Sequence, residues 1–415
     1  MSNLKRYKFN ELYEIGSGIS SKPEQAGHGF PFLSFSSVFN NQFMPESLSD
    51  LMDTSDTQRM TYSVQQGDIF LTRTSETIDE LGMSCVATEE IPNATYSGFL
   101  KRLRPTQSDV SYHKFMGFYL RSKLFRKTMS NNAVMTLRAS FNEDMFSYLD
   151  LLLPEYPKQK KIGDYLYLLN QKIETNNKMN AELEAMAKLI YDYWFVQFDF
   201  PDEDGKPYKS SGGKMVYSEE LKQDIPEAWE VKSLMDIASF TNGVACQKHR
   251  PQDGADSYRV IKIREMGGGF TDSSEWVSKS IPDKVVVNNG DVLFSWSATL
   301  SVMIWAGGIG GLNQHIFKVT SDKYPRTFYY FEVLRYLEHF KMMAELRKTT
   351  MGHITQDHLK QSRISIPDDG LVESLHEKLN PMFQQMVCVL EENQKLAELR
   401  DWLLPMLMNG QVTVE

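Results

Sequence analysis

Residues 154–195 read PEYPKQKKIGDYLYLLNQKIETNNKMNAELEAMAKLIYDYWF, and their periodicity decides the architecture. From Ile162 the positions Leu166, Leu169, Ile173, Asn176, Asn180, Leu183, Ala187, Ile190 and Trp194 follow at alternating steps of four and three. That is a heptad seam held over about five repeats. The C-terminal stretch keeps the same alternation through Leu375, Leu379, Met382, Met386, Val389, Asn393, Leu396, Arg400, Leu403 and Leu407. At about 1.5 Å per residue, roughly 35 helical residues span about 50 Å, some three times the usual helix. One apolar stripe can simply face a domain core. Two helices of matched length in one chain favour packing on each other. Asn176, Asn180 and Asn393 interrupt the seam; they either fix its register by pairing with one another or sit at its edge in water.

Outward from the first helix, the chain repeats one plan at a displacement of roughly 213 to 225 residues. Leu12 before Gly16-Ser17-Gly18 parallels Leu234 before Asn242-Gly243. Gly67-Asp68-Ile69-Phe70 parallels Gly290-Asp291-Val292-Leu293, each a turn opening an apolar, β-prone run (IFLTRT and VLFSWS). Ser140-Phe141-Asn142-Glu143-Asp144 parallels His353-Ile354-Thr355-Gln356-Asp357. After each comes a strand (YLDLLLP, SRISIP) that ends at Pro154 or Pro367, and then a long helix. Between first helix and second half lies PDEDGKPYKSSGGKMVYSEELKQDIPEAWEV, whose Pro, Gly, Ser and charges mark a linker with its boundary near residue 225.

A chain of 415 residues with 41% hydrophobic and 24% charged residues has room for two or three ordinary globular domains. Cys85, Cys246 and Cys388 lie far apart with no C-x-x-C pair, so neither a disulfide framework nor a zinc site is expected, and a reducing cytoplasm fits. MSNLKRYKFNELYEIG has no apolar h-region and no stretch approaches a membrane span, so neither a signal peptide nor a membrane partner is expected. The net charge of −9 speaks at first against nucleic acid. Its distribution changes that: residues 1–153 carry 15 Lys+Arg against 17 Asp+Glu, residues 225–367 carry 17 against 15, and residues 368–415 only 3 against 9. Each larger segment is near neutral and free to present a basic face.

Catalytic motifs are missing. There is no G-x-x-x-x-G-K-[ST] loop, no H-E-x-x-H helix, and no Asn/Asp-Pro-Pro-aromatic tetrapeptide of the kind amino-methyltransferases use. Gly267-Gly268-Gly269 and Gly307-Gly308-Ile309-Gly310-Gly311 lack dinucleotide spacing and read as turns between strands. His353 and His358, at i, i+5, share no helix face suited to a metal. Nucleic-acid contacts have better candidates. Arg121, Lys123, Arg126 and Lys127 lie in the helical YLRSKLFRKTMSNNA, with Arg138 in the following loop; Lys341, Arg347, Lys348 and His353 occupy the corresponding FKMMAELRKTTMGHI. A helix ending in cations before a polar loop can set charge against phosphates and offer side chains to base edges. Arg73 and Thr74 after the first Gly-Asp strand, and Ser295, Trp296 and Ser297 after the second, are further candidates, Trp296 being core or contact.

With these features the chain resembles the specificity (S) subunits of type I restriction-modification systems. The resemblance rests on LPEYPKQKKIGDYLYLLNQKIETNNKMNAELE, DYWFVQFDF, the linker GKPYKSSGGKMVYSEELKQDIPEAWEV and GLNQHIFKV, together with the duplicated plan. It implies an α/β (α+β) fold with two similar target recognition domains, residues 1–154 and 225–367, related by a pseudo-two-fold internal repeat. Two long helices, 155–200 and 368–415, would form an antiparallel coiled coil separating the domains, with 201–224 as linker. It implies a cytoplasmic, non-catalytic chain in which each domain binds one part of a bipartite site in double-stranded DNA. The helices would dock two methyltransferase (M) subunits carrying S-adenosylmethionine, and restriction (R) subunits using ATP and Mg²⁺ would join for cleavage. The rival reading is a coiled-coil protein-interaction scaffold, which accounts for the helices and the acidity but not for the linker.

Overall fold

The computed structural model describes the chain except residues 1–3, 21, 76–79, 133–138, 141–146, 148, 347–352, 409–410, 413 and 415. It divides into two compact units, residues 1–172 with 397–415, and residues 173–396. The class is mixed α and β, as expected.

In the first unit, Lys5–Lys8 pairs antiparallel with Asp150–Leu153, and the short helix Phe9–Leu12 leads into Tyr13–Ser17. A four-stranded sheet runs in the order Tyr13–Ser17, Leu100–Pro105, Ile69–Thr72, Ser84–Val86. Beside it Ala26–Leu33 pairs parallel with Thr95–Tyr96. The second unit repeats each step. Glu230–Ser233 pairs with Arg363–Ile366, the helix Leu234–Ile237 follows, and a sheet runs Ser239–Asn242, Ile316–Thr320, Val292–Ser295, Ser301–Ile304. Ser257–Ile261 pairs parallel with Gly310–Leu312. Strand order and strand direction agree between units, so the repeat read in the sequence is a repeat of fold.

Coverage of the inner strands on both faces explains the cores. Ile69, Phe70 and Leu71 are fully buried, as are Val292, Leu293 and Phe294, because these inner strands are covered on both faces. Phe70, Cys85, Tyr96 and Leu100 pack together in the first unit; Phe294, Phe317, Phe328 and Phe340 do so in the second. Two glycine pairs are forced by this packing. A Cβ on Gly18 would lie 2.3 Å from the Ser97 carbonyl oxygen, and one on Gly243 would lie 2.3 Å from that of Asn313. Gly67 and Gly290 both have φ +90°. The turn reading fails for Gly310 and Gly311, which lie in a strand against Ile261 and Val277.

Both long helices form, Tyr156–Phe195 and Asp369–Met408, 40 residues each and so about 60 Å long. Gln159 anchors the first. Its Oε1 accepts from the Tyr112 N–H at 2.9 Å, and its Nε2 donates to the Val110 and Pro154 carbonyls at 2.8 Å. Phe198, at φ +64°, turns the chain out just beyond the last helical turn. Within the second unit the two helices run antiparallel, Trp194 lying under Lys378 while Asn176 meets Asn393. Asn176 Nδ2 donates to Asn393 Oδ1 and to Glu392, both at 2.8 Å, and Asn393 returns a bond to Asn177. In the first unit Arg400 donates to Asn170. Of the three seam asparagines, Asn176 and Asn393 pair as the register reading requires; Asn180 is buried with neither amide atom bonded among the described residues.

The expected linker is built rather than open. Met215–Ser218 and Gln223–Pro226 form a hairpin, and Phe200 stacks between Tyr208 and Trp229. A second anchor joins the first long helix to the helix Arg326–Leu346: Tyr191 Oη donates to the buried Glu332, and Tyr330 Oη to Glu184. Among the described residues no helix is long and apolar enough to cross a membrane.

Candidate nucleic-acid interface

Each Gly-Asp turn is closed by its own acid. Asp68 Oδ2 accepts from the Gln65 N–H at 2.8 Å, and Asp291 Oδ2 from the Asn288 N–H at 2.7 Å. A cation from the neighbouring strand then neutralises the carboxylate: Arg104 lies 2.6 Å from Asp68, and Lys318 lies 2.7 Å from Asp291. The turn therefore aims an inner strand whose far end delivers Arg73 and Thr74 in one unit, Trp296 and Ser297 in the other.

At that far end three chain segments meet in each unit. The Arg73 N–H donates to the Phe99 carbonyl at 2.9 Å, and Thr74–Ser75 pairs with Ala139–Ser140. The Trp296 N–H donates to the His315 carbonyl at 3.4 Å, and the Trp296 carbonyl accepts from Ile354 at 3.1 Å. Arg73 is exposed, with no side-chain partner recorded among the described residues, and Phe99 is 67% exposed. Trp296 is half-buried. Its Nε1 donates to Asn242 Oδ1 at 2.9 Å, and its ring lies 5.7 Å from that of His315 and 5.4 Å, edge-on, from that of His353. Gln314 Nε2 sits 3.2 Å from His315 Nε2.

The structure sorts the other expected contacts. Lys123 and Lys127 are exposed on the helix Lys123–Asn132, and Arg126 is half-buried with Nη1 on the Gly82 carbonyl at 3.2 Å. Arg121 points inward. Its Nε donates to the Ser84 carbonyl at 2.8 Å, and its Nη2 to those of Val38, Phe39 and Asn41 at 3.0, 3.2 and 2.8 Å. Ser295 and Ser297 are also corrected, being buried; Ser295 Oγ donates to the Thr299 carbonyl at 2.7 Å and closes the loop in which Ala298 holds φ +55°. Lys341 is paired with Glu338 at 2.7 Å. Thr74 is half-buried in its two-residue strand, and His353 is half-buried with its Nδ1 unbonded among the described residues. Arg138, Arg347 and Lys348 lie outside the described residues.

Sequence reasoning missed Phe99, Asn242, Gln314 and His315. Setting Ser97-Gly98-Phe99-Leu100 against Asn313-Gln314-His315-Ile316 would have found three of them, since the Gly98 N–H donates to Ile19 as that of Gln314 donates to Val244. No group of three or more His, Cys, Asp or Glu that could hold a metal occurs among the described residues. The arrangement is a surface that can contact a ligand through aromatic, amide, imidazole and guanidinium groups.

A family model, the type I restriction modification DNA specificity domain, matches residues 226–371, the second of the repeated halves. The type I restriction enzyme HindI specificity subunit of Haemophilus influenzae is 22% identical, over 99% of this chain and 100% of that one. The MjaIX specificity subunit of Methanocaldococcus jannaschii is also 22% identical, over 80% of this chain and 75% of that one. The fold is similar to the crystal structure of the type I restriction-modification system S subunit from M. genitalium, with a TM-score of 0.57, 11% identity, and 98% and 96% of the two chains covered. Duplicated halves, paired long helices and relatives matched over most of their length agree: the chain is similar to the specificity (S) subunits of type I restriction-modification systems, and its second half matches their DNA specificity domain.

Proposed function

We propose that the chain gives a type I restriction-modification complex its DNA specificity, each unit reading one part of a bipartite, asymmetric site in double-stranded DNA. The duplication of fold carries this reading: two copies of one recognition scaffold, differing at their loops, suit two different half-sequences. The chemistry then belongs to partners. Two M subunits would hold S-adenosylmethionine and methylate adenine, and R subunits would use ATP and Mg²⁺, while this chain transfers nothing itself. Docking is supported by a second stripe on the first long helix. Met179, Met186, Leu189 and Tyr193 follow at helical spacing and are all exposed. Such a stripe suits helices of a partner. The experiment is co-expression of the full chain with its neighbouring methyltransferase subunit, followed by retention of the complex on duplex DNA. Specific retention that requires both chains is expected. A stable complex with no sequence preference would favour the scaffold reading instead.

A further inference from the structure

The two units repeat one scaffold, so each position in one has a counterpart in the other. Where the fold requires a residue, counterparts agree. Gly18 and Gly243 each leave no room for a Cβ, and Asp68 and Asp291 each close a turn and take a cation. At the far end of the inner strand agreement stops, although the backbone hydrogen bond from residue 73 to 99 recurs from 296 to 315. Arg73 stands against Trp296, and Phe99 against His315. Folding does not explain Arg73, Phe99 or His315, which are exposed, whereas Trp296 is half-buried and packs on Phe317. Two scaffolds that share these glycine and turn requirements and differ at an exposed rim can carry their difference of function there.

The chemistry of the rim suits base edges in a groove. A guanidinium takes O6 and N7 of guanine in two parallel bonds, and an apolar ring covers a thymine methyl or enters a base step. An imidazole accepts or donates according to its tautomer. In the second unit the imidazole is seated rather than loose: Trp296, itself tied to Asn242, flanks the His315 ring, and Gln314 lies against its Nε2. Exposed lysines on a helix, such as Lys123 and Lys127, suit phosphates, which carry no sequence information directly.

We propose that Arg73 with Phe99 in the first unit, and His315 seated by Trp296 and Gln314 in the second, set the two half-sequences, Arg73 by reading a guanine. This rests on the DNA-recognition reading above. The test uses the whole complex with its methyltransferase subunits, scoring methylation of duplexes that carry every single-base change in each half of the site. Arg73→Ala and Arg73→Lys are both expected to lower discrimination at one guanine by roughly 5- to 150-fold, with the other half unchanged. Phe99→Ala relaxes the same half, and His315→Ala only the other. Lysine keeps the charge, so a mere phosphate contact would survive Arg73→Lys with its specificity intact. That result overturns the proposal, as does a uniform fall across all sequences or a change in the wrong half. Thermal melts accompany each variant, and Phe99→Leu and His315→Gln replace any alanine variant that fails to fold. A wild-type complex that methylates no bipartite site would instead refute the recognition reading.

Discussion

Arg121 was expected against DNA and is instead a tie within the first unit, which makes its removal a sharp test. The side chain reaches from the end of the helix His113–Arg121 to the last carbonyls of the helix Phe35–Asn40 and to the strand Ser84–Val86. A hydrogen bond to a charged group contributes about 1.5–3 kcal/mol, and one guanidinium shared among four carbonyls gives less than the sum. Arg121→Ala also leaves those carbonyls without a donor in a half-buried place. The expected cost is about 3–4 kcal/mol, at the upper end for a single substitution. In a unit of this size each kcal/mol moves Tm by about 2–4 °C, so the first unit should melt roughly 10 °C lower. Scanning calorimetry of the full chain reads this directly. Below the transition, the DNA affinity of the complex should be unchanged. Melting within a degree or two of wild type, with affinity lost and the salt dependence lowered by about one phosphate contact, would refute this role and restore Arg121 to the interface.

Other outcomes follow from buried titrating groups and from modularity. Burial, with Lys114 beside it, pushes His113 down to about 4, so the folded state resists protonation. Stability from this group is fully present above its ordinary value of about 6.5 and falls as pH drops towards 4, by about 2 kcal/mol allowing for partial exposure. His113→Gln should flatten urea midpoints measured between pH 7 and pH 4; an unchanged slope contradicts the assignment. Burial pushes the Glu332 carboxyl above the usual carboxylate range despite Arg335 and Tyr191. Its contribution is greatest in acid and diminishes as pH rises, so Glu332→Gln should gain on wild type between pH 5 and pH 8, and the opposite trend would refute this. Exchanging residues 1–150 for those of another S subunit should change one half of the methylated site; loss of both halves in a folded chimaera counts against modular reading.

Features governed by short-range repetition were legible in the sequence. Heptads gave both long helices, and the Gly-Asp turns gave the inner strands and their duplication, because periodicity and turn chemistry need no knowledge of what packs beyond them. The candidate interface was legible only in part. A cation on a helix looks alike whether it faces water or carbonyls, so Arg121 and Lys127 could not be told apart until tertiary packing turned one inward. YLRSKLF reads as one helix, yet Ser122 leaves it in an extended conformation (ψ 149°), and its Oγ accepts from the Phe125 N–H to start a second. Gly310 and Gly311 read as a turn, and only the closeness of neighbouring side chains makes them a strand. Phe99 carried no local signal; its place beside Arg73 comes from the strand end the two share.

The central claim is that two like units read two unlike half-sequences on behalf of a methyltransferase. Methylome sequencing of cells expressing this chain with its neighbouring subunits measures it most directly. The predicted result is chain-dependent adenine methylation in one asymmetric motif, two specified blocks separated by a stretch of unspecified bases. A single contiguous motif, or no chain-dependent methylation from an assembled complex, would contradict it.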